Sequence, residues 1–230
     1  MNNNQPLVSV ILPVYNDEMN IEKSINSILN QTYKNIELLI YNDGSNDSTQ
    51  KIISNIDSPL IKIFSNSKNI GLTKALNFLI SKSSGEIIAR QDSDDISYLD
   101  RIEKQVDYLL SNKLDSTASR ARRKNSKRKI PSISFYLPLK IQVLYKNPMI
   151  HGTLMIKKSV LEELNFYNTK FKYSQDFKLL IDLINNGYKF RILNEVLYEL
   201  NLINNISTNF RVDQRKYFYM AKKDYKFFNL

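Results

Sequence analysis

Residues 85–95 read GEIIARQDSDD, and this stretch decides how the rest of the chain is taken. A glycine opens a short apolar run, Ile87, Ile88 and Ala89, with the composition of a buried strand. The run stops at Asp92, Asp94 and Asp95, with Ser93 between the first two acids. Carboxylates this close repel and raise one another's pKa. Two readings fit such a cluster. A hard divalent cation, Mg²⁺ or Mn²⁺, takes oxygen ligands and relieves the repulsion, and it would also attract a diphosphate. Alternatively, Asp94 and Asp95 precede a helical pattern and cap its free N–H groups.

Working outward towards the N-terminus, residues 7–13, LVSVILP, form a continuous apolar run typical of a strand buried on both faces. A polar loop follows at 14–17, where Asp17 is placed to cap a helix over 18–31. Residues 36–41, IELLIY, predict a second buried strand. NDGSNDS at 42–48 is turn chemistry, with Gly44 free to take positive φ. A helix over 48–56, a strand over 60–64, a turn at 69–71 and a helix carrying Leu72, Ala75, Leu76 and Leu79 lead back to Gly85. Strands alternating with helices predict a Rossmann-like, mostly parallel sheet flanked by helices. Ligands of such sheets lie off the carboxyl ends of the strands. The loops 14–17, 42–45 and 91–95 fall at those ends.

Towards the C-terminus the spacing predicts a helix over 98–110, then a polar, basic stretch over 111–134 with no period. A helix over 137–145, a strand over 152–156 and a short helix over 158–164 follow. The helix over 176–186 carries Phe177, Leu180, Ile181 and Ile184 on one face and stops at Gly187. Residues 190–193 and 196–200 are strand-like, and 212–228 form a basic, aromatic helical pattern. The expectation is one domain over residues 1–230, divided into two halves at about residue 112.

Composition excludes several chemistries. With no cysteine and one histidine, His151, the chain holds no disulfide, zinc-thiolate site, thiol nucleophile or multi-histidine metal site. The opening MNNNQP is polar and lacks the apolar run expected of a signal peptide, and no window reaches the ~20 apolar residues of a membrane span. The location expected is therefore cytoplasmic. The net charge of +10 suits an anionic partner, and residues 120–129, RARRKNSKRK, concentrate it.

With these loops in place, the sequence resembles glycosyltransferase family 2, inverting sugar transferases of the GT-A fold. VSVILPVYND is similar to the family's first strand and nucleotide loop, and ELLIYNDGSNDST to its Asp-Gly-Ser turn. NIGLTKALN with SGEIIARQDSDD is similar to its third helix and metal strand. NPMIHGTLMIKKSVLEELNFY and FKYSQDFKLLIDLINNGYKF resemble its acceptor half. The resemblance implies an α/β GT-A fold. It also implies transfer of a sugar from a nucleotide-diphosphate donor, a UDP-sugar foremost, to a glycan or lipid-linked acceptor in cell-surface polysaccharide synthesis. The implied cofactor is Mn²⁺ or Mg²⁺.

By the same resemblance, Pro13, Tyr15, Asp43, Asp92 and Ser93 form the nucleotide site, with Tyr15 on the base and Asp43 on its N3–H. Asp43 also fits a plain turn residue before Gly44. Asp92 and Asp94 resemble the metal motif, while Asp95 also fits a helix cap. Arg90 fits a brace for the acids or the diphosphate, or a structural salt bridge. Asp176 resembles the catalytic base that takes the acceptor's proton in a single displacement, although an N-cap also fits it. Gln175 stands where the family has Glu, and His151 falls near the acceptor pocket or in the core.

Three departures stand out: Leu76 replaces a family Arg, LNLINNIS at 200–207 lacks a family Arg and His, and residues 115–129 look unlike the family's strand there. A degraded copy that binds nucleotide without turnover fits those departures. A nucleotidyltransferase lacks its Gly-rich basic loop here. A nucleic-acid-binding protein lacks aromatics interleaved in the basic run, so no nucleic-acid partner is expected. The basic run reads as a mobile surface loop. With the aromatic, Lys-rich stretch 215–228 it suggests peripheral contact with an anionic membrane at its inner face.

Overall fold

The computed structural model describes residues 5–201 and 210–226. Its first half follows the predicted alternation: β1 (Val8–Val14), α1 (Ile21–Leu29), β2 (Ile36–Asn42), α2 (Thr49–Ser54), β3 (Ile61–Ser65), α3 (Leu72–Lys82) and β4 (Ile87–Arg90). β1 lies between β2 and β4, parallel to both, and β2 pairs in parallel with β3. All seven residues of β1 and of β2 are buried, because each face meets a helix layer. Val8, Val10, Leu12 and Val14 pack with Ile21, Ile25 and Ile28 of α1. Ile11 joins Ala75, Leu76 and Leu79 of α3 on the other face. Leu76, the family-arginine position, is therefore a core residue.

The second half adds β5 (Ile96–Ser97), α4 (Arg101–Ser111), β6 (Ser116–Arg123), β7 (Lys129–Ile130), α5 (Leu139–Tyr145) and β8 (Met155–Lys157). It continues through α6 (Lys158–Glu163), α7 (Gln175–Asn185), β9 (Phe190–Leu200) and α8 (Arg211–Lys223). The sheet runs β3-β2-β1-β4-β8-β6-β9-β5, with β7 paired to β6. β8 is antiparallel to both β4 and β6, so it joins the two halves.

Several expectations need correction. The basic run 120–129 is only in part a surface loop, because the stretch over 115–129 opens as a strand that takes in residues 120–123. Its first part is β6, an inner strand with Ser116, Thr117 and Ser119 buried between β8 and β9. Two of these hydroxyls find carbonyl partners, Thr117 Oγ1 on Arg191 at 2.8 Å and Ser119 Oγ on Arg120 at 3.2 Å, while Ser116 Oγ is buried without one. Arg120 of the basic run is also buried, bonded to Asn194 Oδ1 at 2.6 Å and stacked on Phe135. The two strand segments near 190–200 are one strand, β9, whose register with β6 shifts around Arg120. Residues 151–153 form a 3₁₀ turn ahead of β8 rather than part of it.

Asp17 does not cap α1 with its carboxylate. Its backbone carbonyl accepts the Ile21 N–H at 3.1 Å, and its side chain accepts from Asn20. Asp94 and Asp95 cap no helix either, since α4 begins only at Arg101. α8 is shorter than the predicted 212–228. Phe227, Phe228 and most of LNLINNIS lie outside the described residues.

Candidate active site

The loops leaving β2, β1 and β4 stand side by side, in that order, along the carboxyl edge of the sheet. The first two are tied together. The Asn16 N–H donates to Ser45 Oγ at 2.9 Å, and Asn16 Oδ1 accepts the Asn46 N–H at 2.8 Å. Pro13 is buried in β1, while Tyr15 beyond it is 47% exposed. Asp43 is buried at the end of β2, and its Oδ1 and Oδ2 accept the N–H groups of Ile70 and Gly71 at 2.7 and 2.9 Å. Asp43 thus holds the turn into α3. Each carboxylate oxygen keeps a second lone pair for a ligand. Gly44 adopts φ +75°, and a Cβ there would lie 2.9 Å from the Lys68 carbonyl carbon.

The acid turn after β4 is fixed from behind by Arg101, a fully buried cation. Its guanidinium donates to Gln91 Oε1 at 3.0 Å, Ser97 Oγ at 2.7 Å, Gln105 Oε1 at 2.9 Å and the Arg90 carbonyl at 2.6 Å. Burial lowers its pKa only to about 10, so it stays charged at neutral pH. Gln91 Nε2 donates to the carbonyls of Asp92 and Asp95, and Ser24 Oγ donates to the Asp92 carbonyl. Tyr198 of β9 accepts the Asp92 N–H at 3.0 Å and bonds the Asp95 carboxyl. Gly152 lies against this group. A Cβ there would run into the Tyr198 hydroxyl and come within 2.6 Å of Asp92 Oδ2.

Charges in the turn are poorly balanced. Arg90, itself buried, pairs with Asp92 Oδ1 at 2.6 Å. Asp17, Asp94 and Asp95 form no ion pair among the described residues. Burial, then the charges of Asp92 and Asp17, push the Asp94 carboxyl well up. Burial, then Asp92 and Asp94, do the same to Asp95. Asp17 is also raised by burial, against hydrogen bonds from Ser93 and Asn20, and its Oδ2 is buried without a partner. Asp17 therefore belongs with these acids. Its place in a loop at a strand end was the only signal for that, and it is shared by every residue of the loop.

Among the described residues, no group of three His, Asp or Glu side chains is placed to hold a metal ion. The donor set fits an open site instead. It offers only oxygen ligands, and a cation would relieve their repulsion. Mg²⁺-like ions keep several waters and need one or two carboxylates besides phosphate oxygens.

Asp176 sits in the first turn of α7, after Ser174, whose φ of +52° turns the chain into the helix. Asn147 Nδ2 donates to its Oδ2 at 2.6 Å. Burial pushes the Asp176 pKa up to about 6. The N–H groups of Phe177 and of Asp176 itself oppose that rise, and the charge of Asp92 adds to it. The acids of the β4 edge and of α7 thus share one electrostatic neighbourhood. His151 lies in it too: its Nε2 is 2.9 Å from the Tyr167 hydroxyl, and burial and Arg90 lower its pKa to about 3. It is a neutral imidazole. Gln175, next to Asp176, is buried. A cleft of about 410 Å³ opens beside Asp176, lined by Tyr145, Asn147, Ser174, Arg215, Phe218 and Tyr219 among others.

The profile of the family Glycosyl transferase family 2 matches residues 9–175. EpsE of Bacillus subtilis (strain 168), a glycosyltransferase by name, is 33% identical over 214 residues, which is 86% of this chain and 74% of EpsE. The O-antigen biosynthesis glycosyltransferase WbnJ of Escherichia coli is 35% identical over 187 residues, 78% of this chain and 72% of WbnJ. Among solved structures, the mannosyltransferase PcManGT from Pyrobaculum calidifontis, in complex with GDP-Man and Mn²⁺, overlays with a TM-score of 0.80 at 20% identity. It covers 97% of this chain and 66% of its own. S. aureus TarS 1-349, in complex with UDP-GlcNAc, overlays at 0.79 and 19% identity, covering 95% and 66%. This chain spans about two thirds of the length of those solved chains. The architecture they share with it is the GT-A fold.

Proposed function

Because the chain belongs to glycosyl transferase family 2, we propose that it moves a sugar from a nucleotide-diphosphate sugar, a UDP-sugar foremost, to a hydroxyl of a glycan or lipid-linked acceptor, with inversion. The observation that carries this reading is the pair of acid sites itself: Asp92, Asp94 and Asp95 crowd the turn after β4, with Arg90 on Asp92 at 2.6 Å, and Asp176 is held by Asn147 at 2.6 Å beside the cleft. PcManGT with GDP-Man and Mn²⁺ and TarS with UDP-GlcNAc support a nucleotide-sugar donor. WbnJ supports a place in surface polysaccharide synthesis.

In this reading Tyr15 and Asp43 hold the base, with Pro13 and Ser93 lining the nucleotide. Asp94 and Asp92 would hold Mn²⁺ or Mg²⁺, whose charge, when bound, stabilises the leaving diphosphate. Asp176 accepts the proton of the acceptor hydroxyl as its oxygen attacks the anomeric carbon. The bond from that carbon to the diphosphate breaks, and its electron pair leaves with the diphosphate. A carboxyl with a pKa of about 6 is ionised at pH 7 yet basic enough for this task. Gln175 and His151 border the acceptor side, His151 as a neutral hydrogen-bonding group. A lipid-linked acceptor implies work at the inner face of an anionic membrane, within one domain of two halves.

The deciding experiment is a thermal-shift screen of nucleotide sugars with and without Mn²⁺, followed by transfer assays on the best donor. Metal-dependent stabilisation by one donor class is expected. A protein indifferent to every nucleotide sugar in both conditions would defeat the reading.

A further inference from the structure

No Asp or Glu occurs from residue 116 to 161, a stretch that holds a third of the chain's 33 Lys and Arg. Much of that charge lies at the tip joining β6 to β7. Arg123, Lys124, Lys127 and Lys129 are exposed there and form no ion pair among the described residues. The chain then leads directly into apolar side chains that face water. Ile133 is 84% exposed, Tyr136 72% and Tyr145 77%, with Leu137 and Ile141 also exposed.

These features form one continuous surface. Arg120 at the base of the tip stacks on Phe135 at 4.8 Å, and Arg128 reaches Ser132 Oγ at 3.4 Å. α8 is bound to the same face: Lys222 Nζ donates to the Leu144 carbonyl at 2.6 Å, and the Tyr225 hydroxyl to the Lys140 carbonyl at 3.2 Å. The exposed side of α8 carries Val212, Tyr219 and Met220 beside Arg211, Arg215 and Lys216, with Asp213 as its one exposed acid among the described residues of the helix. The cleft beside Asp176 opens at the junction, between Tyr145 of α5 and Arg215 and Tyr219 of α8.

We propose that this face, formed by the β6–β7 tip, residues 133–145 and the outer side of α8, docks on the surface of an anionic membrane. Charge complementarity selects that occupant: exposed apolar and aromatic side chains rimmed by Lys and Arg, with no acid in the tip or in residues 133–145, match the acyl boundary and headgroup phosphates of an anionic leaflet. Docked in this way, the mouth of the Asp176 cleft meets the bilayer at headgroup depth, where a lipid-linked acceptor presents its sugar. The inference rests on the acceptor reading above for its purpose, but not for its test.

The test is co-sedimentation of the full chain with vesicles of phosphatidylglycerol mixed with phosphatidylcholine, and with pure phosphatidylcholine, at low and high salt. Binding is expected to the anionic vesicles only. It should weaken with salt, which screens the attraction within roughly 10 Å at 0.1 M. Two double variants, Ile133→Ser with Tyr136→Ser and Lys124→Glu with Lys127→Glu, should each lose vesicle binding. Nucleotide binding by calorimetry should stay unchanged, which also reports that the variants are folded. Three results would overturn the proposal: wild-type protein left in the supernatant with anionic vesicles at low salt, vesicle binding unaffected by both variants, or a dimer that binds no vesicles and dissociates in the Ile133→Ser variant. Nucleotide binding without vesicle binding would defeat this inference and leave the transferase reading standing.

Discussion

The side-chain amide of Asn147 donates to Asp176 Oδ2 at 2.6 Å across 29 residues of sequence. This bond favours the charged carboxylate, and burial opposes it. The balance leaves Asp176 with a pKa of about 6, above the ordinary aspartate value. A raised carboxyl pKa means that the proton is held until the pH passes that value. As a base, Asp176 works only after losing it. The transfer rate should therefore climb with pH through about 6 and level above it. Asn147→Ala removes a contact that favours the charged form, so the climb should move to higher pH and the rate at pH 7 should fall. A pH–rate profile of both proteins checks this; superimposable profiles would count against it.

Asp176→Asn should keep donor binding and lose transfer by ~10² to 10⁴. Calorimetry on the donor and a transfer assay on the same preparation separate the two. Unchanged turnover would remove Asp176 from the chemistry.

Asp94→Ala should abolish the effect of Mn²⁺ on the affinity for UDP or GDP, while metal-free affinity is kept or slightly raised. Asp94 and Asp92 repel each other in the absence of a cation, and removing one carboxylate relieves that repulsion. Titrations with and without Mn²⁺ test the point. Equal metal dependence in wild type and variant would sink the assignment.

Arg101→Met should lower stability by about 3–5 kcal/mol, since it strips buried Gln91, Gln105, Ser97 and the Arg90 carbonyl of one charged donor. Urea unfolding measures it. A loss below about 1 kcal/mol would mean that water takes over those contacts.

Gly152→Ala should weaken metal-dependent nucleotide binding more than it weakens folding. The added methyl displaces either Asp92 or the Tyr198 hydroxyl that receives the Asp92 N–H. Calorimetry beside thermal melting distinguishes the two effects, and unaltered affinity would show that the turn yields freely.

The first half of the sheet was legible because β1, β2 and β4 are buried on both faces, with only β3 at the edge half exposed, and the helices between them carry apolar stripes. Val8 to Val14 and Ile36 to Asn42 announce themselves. β6 did not, because a strand of Ser, Thr, Ala and Arg owes its burial to partners elsewhere in the chain, such as the Arg191 carbonyl and Asn194. The acids of the β4 turn could be picked out by crowding alone, and Asp176 by resemblance. Asp17 could not, since nothing in its own neighbourhood says that it will meet Asp94 from across the sheet edge. Nor could Arg101, whose four acceptors come together only in the fold.

The same strand, β6, also bears on how the chain reaches its folded form. β1 pairs with β2, and β2 with β3, across single helices, so those contacts close short loops, whereas β1 meets β4 only with Val8 opposite Ile87. β6 must wait for β9, with Thr117 and Arg191 separated by 74 residues. Contacts of such span form slowly, because loop-closure entropy is met before they return anything. The β6–β9 ladder, like β1–β4, should therefore gain protection after β1–β2 and β2–β3 in pulse-labelled hydrogen exchange. A nascent chain would present the exposed edge of β4 until β8 arrives to cover it.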